Sequence, residues 1–177
     1  MLFETDKIIF TGPVGAGKTT ALGAISDVAP VSTDVAATDS TKQMKRTTTV
    51  GFDYSYIKLN DGKRVHLYGT PGQDRFRFMW KILSRTGIGL VLLVPNDHED
   101  PVGQMEFYLD AFSDFIKKTG VVIAITRSGI NDNAQISDYQ NKLYERQQIY
   151  PVFEVDARSS NDVNILIHAL LAILMQE

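Results

Sequence analysis

Cysteine is absent from this chain of 177 residues. That excludes disulfides, thiolate metal sites and cysteine nucleophiles, so packing alone must hold the fold. Charge of one sign is also lacking: 18 basic residues stand against 21 acidic ones, a formal charge of −3. This balance gives no general nucleic-acid footprint, and no nucleic-acid partner is expected. Long hydrophobic runs are missing too, since the longest, Gly87 to Pro95, is far shorter than the roughly 20 residues that cross a bilayer. Leu2 stands where N-myristoylation needs glycine, the final stretch Ala172 to Glu177 holds no prenylatable cysteine, and no basic, apolar leader precedes the first apolar segment. The expectation is a cytoplasmic protein without a direct membrane anchor, built as one domain over residues 1–177.

What is present begins with glycine. Gly12, Pro13, Val14, Gly15, Ala16, Gly17, Lys18, Thr19 and Thr20 directly follow the apolar run Lys7 to Thr11. The spacing is G-x-x-x-x-G-K-T after a strand and before a helix. Glycines there let successive backbone N–H groups converge on phosphate oxygens, Lys18 reaches the β and γ phosphates, and the Thr19 hydroxyl ligates Mg²⁺. A nucleoside triphosphate is the expected ligand.

Further apolar segments recur at Val50 to Leu59, Val65 to Tyr68, Gly87 to Val94, Val121 to Thr126 and Val152 to Val155. Most are short and continuous, as in strands buried on both faces. In the first of them Phe52, Tyr54, Tyr56 and Lys58 alternate with Gly51, Asp53, Ser55 and Ile57, and Asn60 to Lys63 offers a hairpin turn. That pattern predicts an antiparallel edge strand. Val102, Met105, Leu109, Phe112 and Ile116 fall on one helical face. Ile136, Tyr139, Leu143 and Gln147 repeat the spacing, and Val163, Leu166, Leu170 and Ile173 form a closing helix that Ser159 or Asn161 would cap. Together these predict an α/β three-layer sandwich of the P-loop NTPase kind, with a mostly parallel six-stranded sheet and one antiparallel edge strand. Residues 27–48 lack apolar periodicity and read as a long functional loop beside the γ-phosphate.

Thr49-Val50-Gly51-Phe52-Asp53-Tyr54 resembles the end of switch I in Ras-superfamily GTPases, where a threonine completes the Mg²⁺ shell and senses the γ-phosphate. Register with Gly51 favours Thr49 over Thr47 or Thr48. Tyr68-Gly69-Thr70-Pro71-Gly72-Gln73 resembles the switch II segment. The resemblance implies that Gly72 presents its N–H to the γ-phosphate and that Gln73 orients the attacking water. Phe76 and Phe78, interleaved with Arg75 and Arg77, are expected on a partner-binding surface. Gly69 replaces the aspartate that supports Mg²⁺ in this family, leaving Asp34 and Asp39 of the long loop as candidate substitutes. The Gly-Thr-Pro-Gly-Gln form and the lengthened first loop resemble the gliding-motility MglA-like GTPases and bacterial GTPases encoded beside roadblock-domain proteins. A roadblock/LC7-type partner is what that resemblance implies.

The base-reading segment departs from the family as well. Thr126-Arg127-Ser128-Gly129 occupies the place of N-K-x-D, so Gly129 stands where an aspartate accepts from guanine. Asp132 is the acceptor that a following turn would return. Asp156-Ala157-Arg158 resembles the S-A-K loop, which implies that the Ala157 N–H meets the guanine O6 and the Arg158 stem covers the ring. Arg46, ahead of Thr49, is a candidate intrinsic arginine finger. The expected activity is slow GTP hydrolysis to GDP in a Mg²⁺-dependent switch. Two alternatives remain: an interaction module with little turnover, and an ATP-specific P-loop switch.

Overall fold

The computed structural model describes residues 6–32, 51–129 and 133–175. β1 (Lys7–Thr11) lies at the centre of the sheet. It runs parallel to β4 (Arg64–Gly69) on one side and to β5 (Gly87–Pro95) on the other. β6 (Val121–Thr126) and β7 (Val152–Glu154) extend the parallel part. Beyond β4, β3 (Asp53–Lys58) is antiparallel, and β2 (Val31–Ser32) pairs antiparallel with β3. The sheet is thus a mixed, mostly parallel one of the P-loop NTPase fold.

Two expectations need correction here. The described residues form seven strands rather than six, in the order β2-β3-β4-β1-β5-β6-β7, and β3 is not the edge because β2 covers it. A two-residue strand is too short to show any alternation. The stripe from Val102 to Ile116 is also not one helix. α3 (Pro101–Ala111) stops at Phe112, which leaves helical geometry, and α4 (Ser113–Ile116) resumes. Phe112 and Ile116 still reach the same core cluster as Met105 and Leu109, so the stripe predicted the buried face correctly.

Helices cover both faces. α1 (Lys18–Ile25) and α6 (Ser160–Leu174) bury Leu22, Leu166 and Leu170 against Ile8, Phe10, Val91 and Leu93. α2 (Arg77–Ser84), α3, α4 and α5 (Ile136–Glu145) bury Trp80, Met105, Leu109 and Tyr139 against Ile9, Leu90, Leu92 and Ile125. Alternate residues of β5 therefore serve opposite cores, and all of Leu90 to Val94 are 0% exposed. Each such side chain contributes about 1.5–3 kcal/mol through burial. Two helix starts are set chemically: the Asp100 carboxylate accepts from Gly103 N at 2.9 Å ahead of Pro101, and Ser159 Oγ accepts from Asp162 N at 3.3 Å. Loops leaving the C-terminal ends of β1, β4, β6 and β7 share one rim of the sheet, where open α/β sheets bind ligands.

Candidate nucleotide site

The loop between β1 and α1 has a backbone that only glycine satisfies at its start. Gly12 has φ 140°, and a Cβ built there would lie 2.1 Å from the Leu93 carbonyl oxygen of β5. Gly17, φ 97°, precedes α1 with no side-chain cap, so the first N–H groups of that helix are left for an anion. Pro13 O accepts from Ala16 N at 3.2 Å, and Val14 stands exposed at the loop's tip. Lys18 folds back over this loop, donating from Nζ to Gly12 O and Pro13 O at 2.7 Å each. Its side chain is buried, and that burial lowers its pKa to about 8 against the opposing pull of the Asp53 carboxylate. A buried cation resting on carbonyls, beside helix N–H groups that have no side-chain cap among the described residues, is a phosphate-shaped arrangement.

Thr19 Oγ1 donates to Asp53 Oδ2. The pairing of β3 with β4 explains how Asp53 gets there. Lys58 faces Arg64 across the hairpin, and the register carries back to place Asp53 opposite Gly69. A Cβ built on Gly69 would lie 3.1 Å from both the Cβ and Oδ2 of Asp53. The carboxylate missing from position 69 is therefore matched by one from the neighbouring strand, in the space a longer residue at 69 would need. Spacing along the chain points to Asp34 or Asp39 of the long loop for that group and passes over Asp53, whose signal is the hairpin register. Mg²⁺ prefers a few hard oxygen ligands with waters and phosphate completing its shell. Thr19 and Asp53 fit that requirement, and among the described residues no cluster of three or more His, Asp or Glu side chains forms a metal cage of its own.

The segment after β4 is tied down from three directions. Thr70 N donates to Phe10 O at 2.8 Å, and the Thr70 and Thr11 hydroxyls share a bond of 2.8 Å. Trp80 Nε1 donates to Pro71 O at 2.9 Å, and Tyr108 OH donates to Gly72 O at 3.2 Å. This fixes Gly72 against the phosphate loop: a Cβ there would stand 2.5 Å from Val14 N and 2.9 Å from Lys18 Nζ. Gln73 next to it is exposed. Of the two phenylalanines expected on the surface, Phe76 is buried at 8% exposure and only Phe78, at 53%, faces solvent. Their rings pack edge-on, centroids 6.5 Å apart, so Phe76 supports Phe78 from beneath.

A cleft of about 540 Å³ opens on the other side of the loop, lined by Thr20, Thr126, Arg127, Ser128, Asp156, Ala157 and Arg158 among others. Thr126 Oγ1 donates to Ala16 O at 2.9 Å, which clamps the end of β6 to the phosphate loop. Arg127, at φ 58°, reaches over Gly15 and pairs with Asp97 at 3.1 Å. Ala157 packs against Gly17, its Cβ 3.0 Å from where a Gly17 Cβ would stand. Asp156 is held by Arg158, through Nη2 at 2.7 Å and Nε and the backbone N–H at 2.9 Å, and these bonds lower its pKa to about 2. The structure thus brings Gly12, Pro13, Val14, Gly15, Ala16, Gly17, Lys18, Thr19, Thr20, Gly72, Thr126, Arg127, Ala157 and Arg158 to one rim. Arg46, Thr49 and Asp132, with Asp34 and Asp39, lie outside the described residues.

No family model matches the chain. Among known proteins it is similar to the Ras-related protein Rab-27A of Sus scrofa, 23% identical over 185 residues that cover 96% of this chain and 78% of that one. The Ras-related protein Rab-18-B of Danio rerio is 23% identical over 179 residues, 99% of this chain and 82% of that one. An uncharacterized protein of Methanocaldococcus jannaschii is 34% identical over 79 residues, 41% of this chain and 51% of its own length. The affinity of the chain is with Ras-superfamily P-loop GTPases, and these relatives do not single out the gliding-motility branch.

Proposed function

We propose that this protein is a GTP- and GDP-binding switch that hydrolyses GTP slowly and reports its nucleotide state to a partner protein. The observation that carries the reading is the seat of Gly72. The segment bearing Gln73 lies against both the phosphate loop and Lys18, so whatever fills the loop is felt there. In this reading Lys18 and the backbone N–H groups of the loop from Val14 to Thr20 bind the phosphates and stabilise the transferring phosphoryl group. Thr19, Asp53 and Thr49 would hold Mg²⁺, which when bound neutralises charge on the β and γ phosphates. Gln73 orients the attacking water, and Arg46 supplies a second cation. Thr126, Arg127, Ala157 and Arg158, with Asp132, surround the base.

The partner surface runs along Phe78 and the outer side of the β3–β4 hairpin, where Tyr54 packs on Tyr68 with centroids 5.1 Å apart. A roadblock-domain dimer is the partner that the resemblance suggests. Titration calorimetry of the full chain with GTP and GDP in the presence of Mg²⁺, followed by single-turnover phosphate release, tests the reading. Saturable binding of both nucleotides with slow release of phosphate from GTP is expected. Absence of heat with either nucleotide would remove it.

A further inference from the structure

We infer that a groove between α2 and the α3–α4 pair is a docking site for an acidic segment of a partner protein, anchored by aromatic or large aliphatic side chains. The groove encloses about 830 Å³, and it reaches the end of the sheet opposite the nucleotide rim, because Gly87, the first residue of β5, lines it. Its floor is aromatic. Trp80 stacks on Phe112 with centroids 5.5 Å apart, and Phe115 lies half-buried beside them. Gly87 makes room for that floor, since a Cβ built there would fall 2.8 Å from Phe115 Cζ. Trp80 is not free to turn out and fill the space: its Nε1 donates to Pro71 O at 2.9 Å, and Tyr108 packs on its ring with centroids 5.1 Å apart. The groove is thus held open before anything binds, which spares a ligand the cost of ordering it.

Charge decides what fits. Arg77, Lys81, Arg85 and Lys118 line the groove against one carboxylate, Asp114, in a chain whose formal charge is −3. Arg77 is engaged by Asp74 and lies over the Phe107 ring. Lys81, Arg85 and Lys118 are exposed and form no ion pair with any described residue. Lys81 and Arg85 stand one turn apart at the end of α2, and Lys118 follows α4, so free cations flank the aromatic floor on both walls. An amphipathic acidic segment matches both features, with its apolar anchors on the floor and its carboxylates toward the walls. A bilayer surface is flat by comparison and would meet the walls while leaving the floor unfilled.

A phage-displayed random peptide library tests this, depleted first on Ala111→Trp, which narrows the groove without changing its charge, and then selected on the full wild-type chain. Enriched peptides are expected to carry Asp or Glu around Phe, Trp or Leu. Synthetic copies should bind at least about tenfold more weakly to a Lys81→Glu, Arg85→Glu, Lys118→Glu triple variant, where attraction becomes repulsion. All four substituted positions are exposed, so both variants should fold, which circular dichroism and denaturant midpoints check. Should Ala111→Trp not fold, the triple variant serves for the depletion as well. Neutral or basic enriched peptides, no enrichment at all, or an affinity unchanged by the triple substitution overturns the inference. So does cosedimentation with phosphatidylserine vesicles that the triple variant abolishes while no peptide is recovered, because a membrane is then the occupant. No nucleotide enters the experiment, so this inference and the proposed function fail separately.

Discussion

An aspartate at position 69 would compete with Asp53 for one space, because the Cβ it needs falls 3.1 Å from Asp53 Oδ2. The two positions are therefore alternative sources of one carboxylate, and their variants should behave as a pair. Asp53→Ala is expected to raise the Mg²⁺ concentration that half-slows nucleotide release by about tenfold or more, in the range seen when groups that support a metal's ligands are removed. Gly69→Asp added to Asp53→Ala should recover most of that loss. An unchanged Mg²⁺ requirement in Asp53→Ala would remove Asp53 from the metal's surroundings. This residue also marks the limit of reading a sequence. Lys18 and Thr19 were legible because the phosphate loop fixes their roles through spacing along one stretch of chain. Asp53 depends on which residue of β4 it faces, and that follows from a hairpin register joining positions 53 and 69.

Among the elements, the strands were legible nearly to the residue: β1, β5 and β6 are continuous apolar runs because both their faces are buried. β2 was not, since two exposed residues, Val31 and Ser32, carry no pattern that distinguishes them from loop. Nor was the tethering of the segment after β4, which comes from Trp80 on α2 and Tyr108 on α3. Both are core residues with their polar tips turned to the site, a tether that spacing along the chain does not announce. Those tethers make Gly72 a hinge with no room. Gly72→Ala would put a methyl 2.5 Å from Val14 N and 2.8 Å from the Pro13 carbonyl carbon, backbone that cannot retreat without opening the phosphate loop. The segment must swing away instead. GDP affinity is expected to change by less than about threefold, whereas single-turnover GTP hydrolysis should fall by more than about tenfold as Gln73 loses its post. Equal hydrolysis rates in the two proteins would show that the seat of Gly72 is irrelevant to the chemistry.

For the whole molecule, the central strand ends in a loop over which an ammonium group is buried with no carboxylate in direct contact among the described residues, a cost the fold bears until phosphate arrives. Lys18 has its pKa lowered from 10.5 to about 8 chiefly by burial. Between those values the unfolded chain holds a proton that the folded one has released, so stability rises with pH in that window and is flat with respect to this group below it. Above about pH 10 the opposite trend enters, because burial raises the pKa of Tyr108 and the folded protein then retains protons that the unfolded chain loses. The usable window is therefore pH 8 to 10. Denaturant midpoints of the wild type and of Lys18→Met, measured at several pH values across it, isolate the lysine, since the other titrations are common to both. The wild type should gain on Lys18→Met with rising pH, by at most about 1.4 kcal/mol per pH unit. A constant difference would mean that the ammonium is well solvated in the folded chain. Bound phosphate restores a counter-charge and favours the protonated amine. Nucleotide binding above pH 8 must then take up a proton, and calorimetric heats in buffers of different ionisation enthalpy should diverge there while agreeing at pH 7.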